Sequence, residues 1–238
     1  MACRQAPQPS WQAVPGAAPI SRKDPKVSRA AHRPTREGRP PVTRPQLHLL
    51  DDHPGIDLPR AERAVAELLD ALGQDLSAEH LLDTPRRVAA SYAELLTPVA
   101  FTPTTFANEE GYDELVLARA IPFWSLCQHH LLPFVGVAHV GYLPAGRILG
   151  LSKLARVVEL FARRLQVQER LTTQVADWLQ EHLEPKGVGV VLEAEHLCMS
   201  LRGVRATGAR TVTSAVQGVL REDPRSRQEF FTLTRMAS

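Results

Sequence analysis

The sequence predicts an α+β fold with antiparallel strand pairing. Two observations carry the class. After two helical segments, strand segments follow one another directly both before and after a pair of helices, so crossover helices do not regularly separate the strands as a parallel sheet requires. Turn chemistry such as Pro144-Ala145-Gly146 connects neighbouring strand segments directly. A third observation bounds the size: 44% hydrophobic content in 238 residues is enough for a sizeable core.

Each element has its own signal. Asp57 is placed to cap a helix with Pro59 in its first turn, and Ala61, Val65, Leu68, Leu69 and Leu72 then recur at helical spacing until Gly73. A second helix starts at Thr84-Pro85, carries Val88, Tyr92, Leu95 and Leu96 on one face, and stops at Pro98. Asn108 to Tyr112 reads as a loop, and Leu115 to Ala118 as a short strand. Phe134 to Leu143 is rich in β formers, and a further short strand follows the turn at Pro144. Ser152 opens a helix whose apolar stripe is Leu154, Val157, Val158, Phe161 and Leu165, and Gln168 to Leu183 makes the next, with Leu171, Val175, Trp178 and Leu179 inward. Gly187–Glu193, His196–Val204 and Thr211–Leu220 are expected as strands, and Asp223-Pro224 begins a last helix through Phe230, Phe231 and Leu233.

Charge divides the chain in two. Residues 1–48 hold nine Lys or Arg against two acids, nine of the 19 prolines and few large apolar side chains, so this tail is expected to be disordered. The remainder is mildly acidic, which argues against nucleic-acid binding by the folded part. No apolar run approaches the roughly 18 residues of a membrane span and no secretory h-region is present, so the expected location is cytoplasmic.

The chemistry concentrates in two short motifs, Cys127-Gln128-His129-His130 and His196-Leu197-Cys198. A Cys-x-x-His turn can bring Sγ and a ring nitrogen to one tetrahedral centre, with a distant cysteine as third ligand. Three protein ligands leave a fourth position for water, whose pKa zinc lowers to about 7. Ordinary buried thiols or a disulfide are the plain alternatives. The histidines beside both cysteines, and the lack of a secretion signal, favour the metal. If residues 196–202 form a strand, His196, Cys198, Ser200 and Arg202 share one face. Lys153 is notable in a chain with four lysines and 24 arginines, since it is not there by compositional habit.

From about Asp113 to Phe231 the sequence resembles GTP cyclohydrolase I. The motifs that carry the likeness are Cys-Gln-His-His at 127–130, Gly-Leu-Ser-Lys-Leu-Ala-Arg at 150–156, Gln-Val-Gln-Glu-Arg-Leu-Thr at 166–172 and Glu-Ala-Glu-His-Leu-Cys-Met at 193–199; Thr-Pro-Arg-Arg at 84–87 fits the family's helical N-terminal part. The resemblance covers roughly residues 55–235. It implies a tunnelling fold (T-fold): after the tail at 1–48, which composition alone marks as disordered, one domain at 49–238, made of a helical part at 49–110 and a catalytic part at 111–238. It also implies a homodecamer with active sites at subunit boundaries. Zinc is expected on Cys127, His130 and Cys198, leaving His129 and His196 for proton transfer. GTP is the implied substrate, its triphosphate met by Lys153, Arg156 and Arg202, with Arg87 as a further cation. Glu169 is the implied guanine anchor, and Gln168 and Ser152 complete base and ribose recognition. The implied reaction opens the imidazole ring at C8, releases formate, rearranges the ribose and closes to 7,8-dihydroneopterin triphosphate, the first step toward tetrahydrofolate and pterins. A paralogue feeding a 7-deazapurine or other secondary pathway would share this chemistry, while a non-catalytic subunit on the same fold would lack it. One departure is Gln128, where most of the family has Glu.

Overall fold

Asp57 accepts a hydrogen bond from the Arg60 N–H at 3.0 Å and caps helix α1 (Leu58–Ala71), with Pro59 in the first turn as expected. The structure is a computed structural model and describes residues 55–235; the tail expected to be disordered lies outside the described residues. Helix α2 (Thr84–Leu95) packs against α1, and β1 (Thr105–Ala107) pairs antiparallel with β4 (Arg147–Leu149) as a small separate ladder.

The main sheet has five strands in the order β5-β2-β3-β6-β7, namely Leu165–Gln166, Val116–Cys127, Pro133–Leu143, Gly187–His196 and Thr211–Gly218. All pairings are antiparallel except the short β2–β5 contact. Strand β2 is much longer than the short segment expected around Leu115–Ala118. It runs on past a bulge near Ala118 and Ile121 to Cys127 itself. Pro122 and Trp124 do not mark an end, because cross-strand pairing with Val137 and Val135 decides the matter.

Helices α3 (Leu151–Ala162) and α4 (Gln168–Leu183) cover one face of the sheet. Their buried Leu154, Val157, Val158, Phe161, Leu171, Val175, Trp178 and Leu179 are the stripes the periodicity predicts, and they meet Phe134, Ala138, Val140, Val190 and Leu192. Leu165 leaves the stripe: α3 stops at Ala162, and Leu165 stands 40% exposed in β5. The stop has a physical cause. Ser125 Oγ donates to the Ala162 carbonyl at 2.7 Å and Gln166 Nε2 to the Phe161 carbonyl at 2.8 Å, so side chains of the sheet take the last helical acceptors. At the far end of the sheet, beyond the short helix α6 (Val219–Glu222), helix α7 (Pro224–Arg235) presses Phe230 onto Gly189, where a Cβ would come within 2.6 Å of the ring.

The strand expected over His196–Val204 does not form. Strand β6 ends at His196, residues 197–200 make one helical turn, α5 (Leu197–Ser200), and irregular turns follow. The reason is the loss of partners: β3 pairing ends at Phe134 opposite His196, and β7 pairing ends at Thr211 opposite Ala194. Beyond that point the backbone satisfies itself locally, with the Leu201 N–H donating to the Leu197 carbonyl at 3.0 Å. His196, Cys198, Ser200 and Arg202 therefore do not line one strand face.

Candidate metal centre

The turn between β2 and β3 is built to present the first motif. The Cys127 carbonyl accepts from the Leu131 N–H at 2.9 Å and the His130 N–H at 3.3 Å, and the Cys127 N–H donates to the Leu132 carbonyl at 2.9 Å. Leu131 takes a left-handed φ of 56°, which closes the turn. Tyr92 of α2 donates to the Leu131 carbonyl at 3.1 Å and ties the helical part to this turn.

The helical turn after β6 then delivers Cys198. The ligand atoms of Cys127, His130 and Cys198 all lie within 4.8 Å of one another, and Cys127 Sγ stands 3.7 Å from His130 Nδ1. A tetrahedral ion with bonds of about 2.0–2.3 Å sets donor separations of roughly 3.6 Å, so two thiols and an imidazole at these distances fit zinc. Among the described residues no other trio of His, Cys, Asp or Glu gathers in this way. Both cysteines are free, with Cys127 buried and Cys198 half-buried. Burial first, and then the neighbouring Cys127, push the Cys198 thiol above its ordinary pKa. Two thiols this close disfavour a second negative charge, and a cation between them is what removes that penalty.

His129 is exposed and turns Nδ1 toward Cys127 Sγ at 3.7 Å. His196 is stacked on Phe134, with ring centroids 4.6 Å apart and planes 3° from parallel, and its Nε2 lies 2.8 Å from Gln168 Oε1. Burial lowers the His196 pKa, and the Glu169 carboxylate opposes that in part. Glu169 is exposed in the first turn of α4, so it lies at the metal end of the sheet, as does the exposed Arg202, whose charge acts on Cys198.

The other expected cations stand elsewhere. Ser152, Lys153 and Arg156 occupy the first two turns of α3, while the far end of that helix, at Ala162, is the end that meets Ser125 near the metal turn. Lys153 Nζ sits 5.8 Å over the Phe101 ring, and Phe101 packs on Trp178 at 5.5 Å. Trp178 is about ten residues along α4 from Gln168, or ~15 Å at 1.5 Å per residue. Arg156 pairs with Glu159 at 3.0 Å, and Arg87 with Asp83 at 3.5 Å.

Three contributors went unnoticed in the sequence. Arg170 donates from Nη2 to Gln128 Oε1 at 3.0 Å and to the Leu165 carbonyl at 2.6 Å, and from Nε to Gln166 Oε1 at 2.8 Å. Gln128 thus faces a guanidinium, and a Glu in its place would make an ion pair there. Arg170, Gln166 and Phe134 carry no local signal, since their contacts exist only once β2, β3, β5 and α4 are assembled.

Comparison with known proteins agrees with the geometry. The GTP cyclohydrolase I family profile matches residues 61–235. The chain is 58% identical over 185 residues to GTP cyclohydrolase 1 of Streptomyces avermitilis, covering 75% of this chain and 90% of that protein. It is 55% identical over 184 residues to that of Thermobifida fusca, covering 75% and 89%, and 51% identical over 194 residues to that of Corynebacterium glutamicum, covering 78% and 99%. Among solved structures, the apo form of the archaeosine synthase QueF-Like aligns with a TM-score of 0.35 at 19% identity, covering 44% of this chain and 93% of that one. The helix-backed antiparallel sheet is a T-fold, and the chain belongs to the GTP cyclohydrolase I family.

Proposed function

We propose that this chain opens the imidazole ring of GTP by hydrolysis, releases formate, and rearranges the product to 7,8-dihydroneopterin triphosphate, the entry step of pterin and tetrahydrofolate synthesis. The observation that carries this reading is the Cys127, His130 and Cys198 trio, with two further imidazoles, His129 and His196, beside it. A zinc ion held by the trio supplies Lewis-acid activation of water at neutral pH. Everything else falls to side chains. Glu169 accepts from the guanine N1–H and exocyclic amine, a paired geometry that holds the base in register. His129 and His196 move the protons that ring opening requires, delivering one to the purine nitrogen that leaves C8. Arg202 neutralises phosphate charge at the metal end, and Lys153, Arg156 and Arg87 do so from elsewhere, while Ser152 binds ribose. The test is to incubate zinc-replete protein with GTP and quantify formate together with the fluorescent neopterin formed after oxidation. Both are expected, and neither product from zinc-loaded protein would overturn the reading.

We further infer a homo-oligomer, a decamer in the family's manner, whose sites are shared between copies. What supports this is that Ser152, Lys153 and Arg156 lie at the start of α3, whereas Ala162, ~15 Å along the helix from Ser152 at 1.5 Å per residue, is the end that meets Ser125 beside the metal turn. In one chain the metal turn and the α3 cations occupy different ends, and a second copy placing its α3 against the first copy's metal turn unites them. A mixing experiment reads this directly. Cys198→Ala and Lys153→Ala are each expected to be nearly inactive, yet subunit exchange at equal ratio should restore about a quarter of wild-type activity, because one site in four then receives both intact contributions. No recovery, with exchange verified, would place the whole site in one chain.

Among the described residues no helix is long and apolar enough to cross a membrane. We place the enzyme in the cytosol, where reducing conditions keep Cys127 and Cys198 available as thiolate ligands.

A further inference from the structure

Gln168 is 2% exposed, although it begins a helix beside the site. Its amide is fully engaged within the chain. The two Nε2 hydrogens are shared among the Thr211 carbonyl at 2.9 Å, Thr213 Oγ1 at 3.1 Å and the Leu192 carbonyl at 3.2 Å. Thr213 and Thr172 hydroxyls lie 2.6 Å apart, and Thr172 Oγ1 donates to the Gln168 carbonyl at 2.7 Å. These bonds form a directed ring: amide to Thr213, Thr213 to Thr172, Thr172 back to the Gln168 backbone. Reversing the amide would set Oε1 against two carbonyl oxygens, neither of which can donate, so the orientation is dictated by the network.

One consequence concerns His196. Oε1 can only accept, and His196 Nε2 is 2.8 Å away, so Nε2 must carry the hydrogen. In the neutral ring the open lone pair is then Nδ1. The Phe134 ring, parallel at 4.6 Å, holds the plane, so tautomer and orientation are both set before any ligand arrives. His129 is used the other way round, with Nδ1 turned to Cys127 Sγ and Nε2 left open.

We propose that Gln168 is a positioning residue that locks His196 as the Nε2–H tautomer and presents Nδ1 as its proton-handling nitrogen, rather than a contact to GTP. This rests on the assignment of His196 to proton transfer in the proposed reaction. Gln168→Met, of similar length but unable to accept from the ring, is expected to lower kcat about 10- to 100-fold, with KM for GTP within a factor of three and zinc content unchanged. A rise in KM of tenfold or more with kcat preserved would make Gln168 a substrate contact and overturn the proposal, as would unchanged kinetics. A second measurement needs no turnover: NMR of zinc-loaded wild-type protein labelled with ¹⁵N-histidine, with His196 assigned by comparison with His196→Ala. A protonated Nε2 is expected. A protonated Nδ1 with a bare Nε2 refutes the proposal whether or not GTP is the substrate, whereas absence of formate alongside the expected tautomer would sink only the catalytic reading.

Discussion

Cys198→Ala is expected to lose bound metal and turnover together, whereas His196→Ala should retain metal at the wild-type level and lose turnover by about 10²- to 10⁴-fold. The geometry separates the two residues although they are two positions apart. Cys198 points into the trio with Cys127 and His130, and removing one of the three candidate ligands would leave too few to retain an ion. His196 points instead to Gln168 and stacks on Phe134, so its loss leaves the ligand set whole. Metal content of the purified variants, measured beside formate release, checks both halves. Metal lost from His196→Ala would make that imidazole a ligand and reverse the division of roles.

Gly136→Ala is expected to cost about 3 kcal/mol or more and to lower the thermal midpoint by roughly 10 °C. Gly136 faces Ala194 across the β3–β6 ladder, and a Cβ there would stand 2.6 Å from the Ala194 Cα and press on the Glu193 carbonyl oxygen. Backbone cannot rotate aside as a side chain can, so the two central strands must part. The same ladder, two residues on, holds Phe134 opposite His196, so turnover should fall along with stability. Gly146→Ala is the control, because no atom lies within 4 Å of a Cβ at that position, and its midpoint should stay unchanged. Equal midpoints for the two variants in a thermal melt would show that the sheet absorbs the extra carbon.

The helices were the most legible part of the chain. Helix α4 spans Gln168–Leu183 as its periodicity predicts, and the Asp57 cap with Pro59 opens α1, because both signals are local and act through bonds within a few residues. The strands were less legible. A strand is completed by partners distant in sequence, so β2 proved longer than its composition suggested, and the segment after His196 became a helical turn once its neighbours on both sides had ended.

The candidate site divides along the same line. Residue chemistry and spacing marked out a Cys-x-x-His turn with a distant cysteine as a candidate metal site, since a thiol and an imidazole three positions apart in a tight turn lie close together, and the family resemblance named Cys127, His130 and Cys198 as its ligands. Only the tertiary structure decided that Gln168 is spent on His196, that Gln128 meets Arg170, and that Lys153 sits over Phe101 at the opposite end of α3 from the Ser125 contact. Those facts depend on which strand ends coincide and which helix face is buried. Hydrogen bonds between elements are short and directional, and no pattern confined to one stretch of sequence encodes where their partners come to rest.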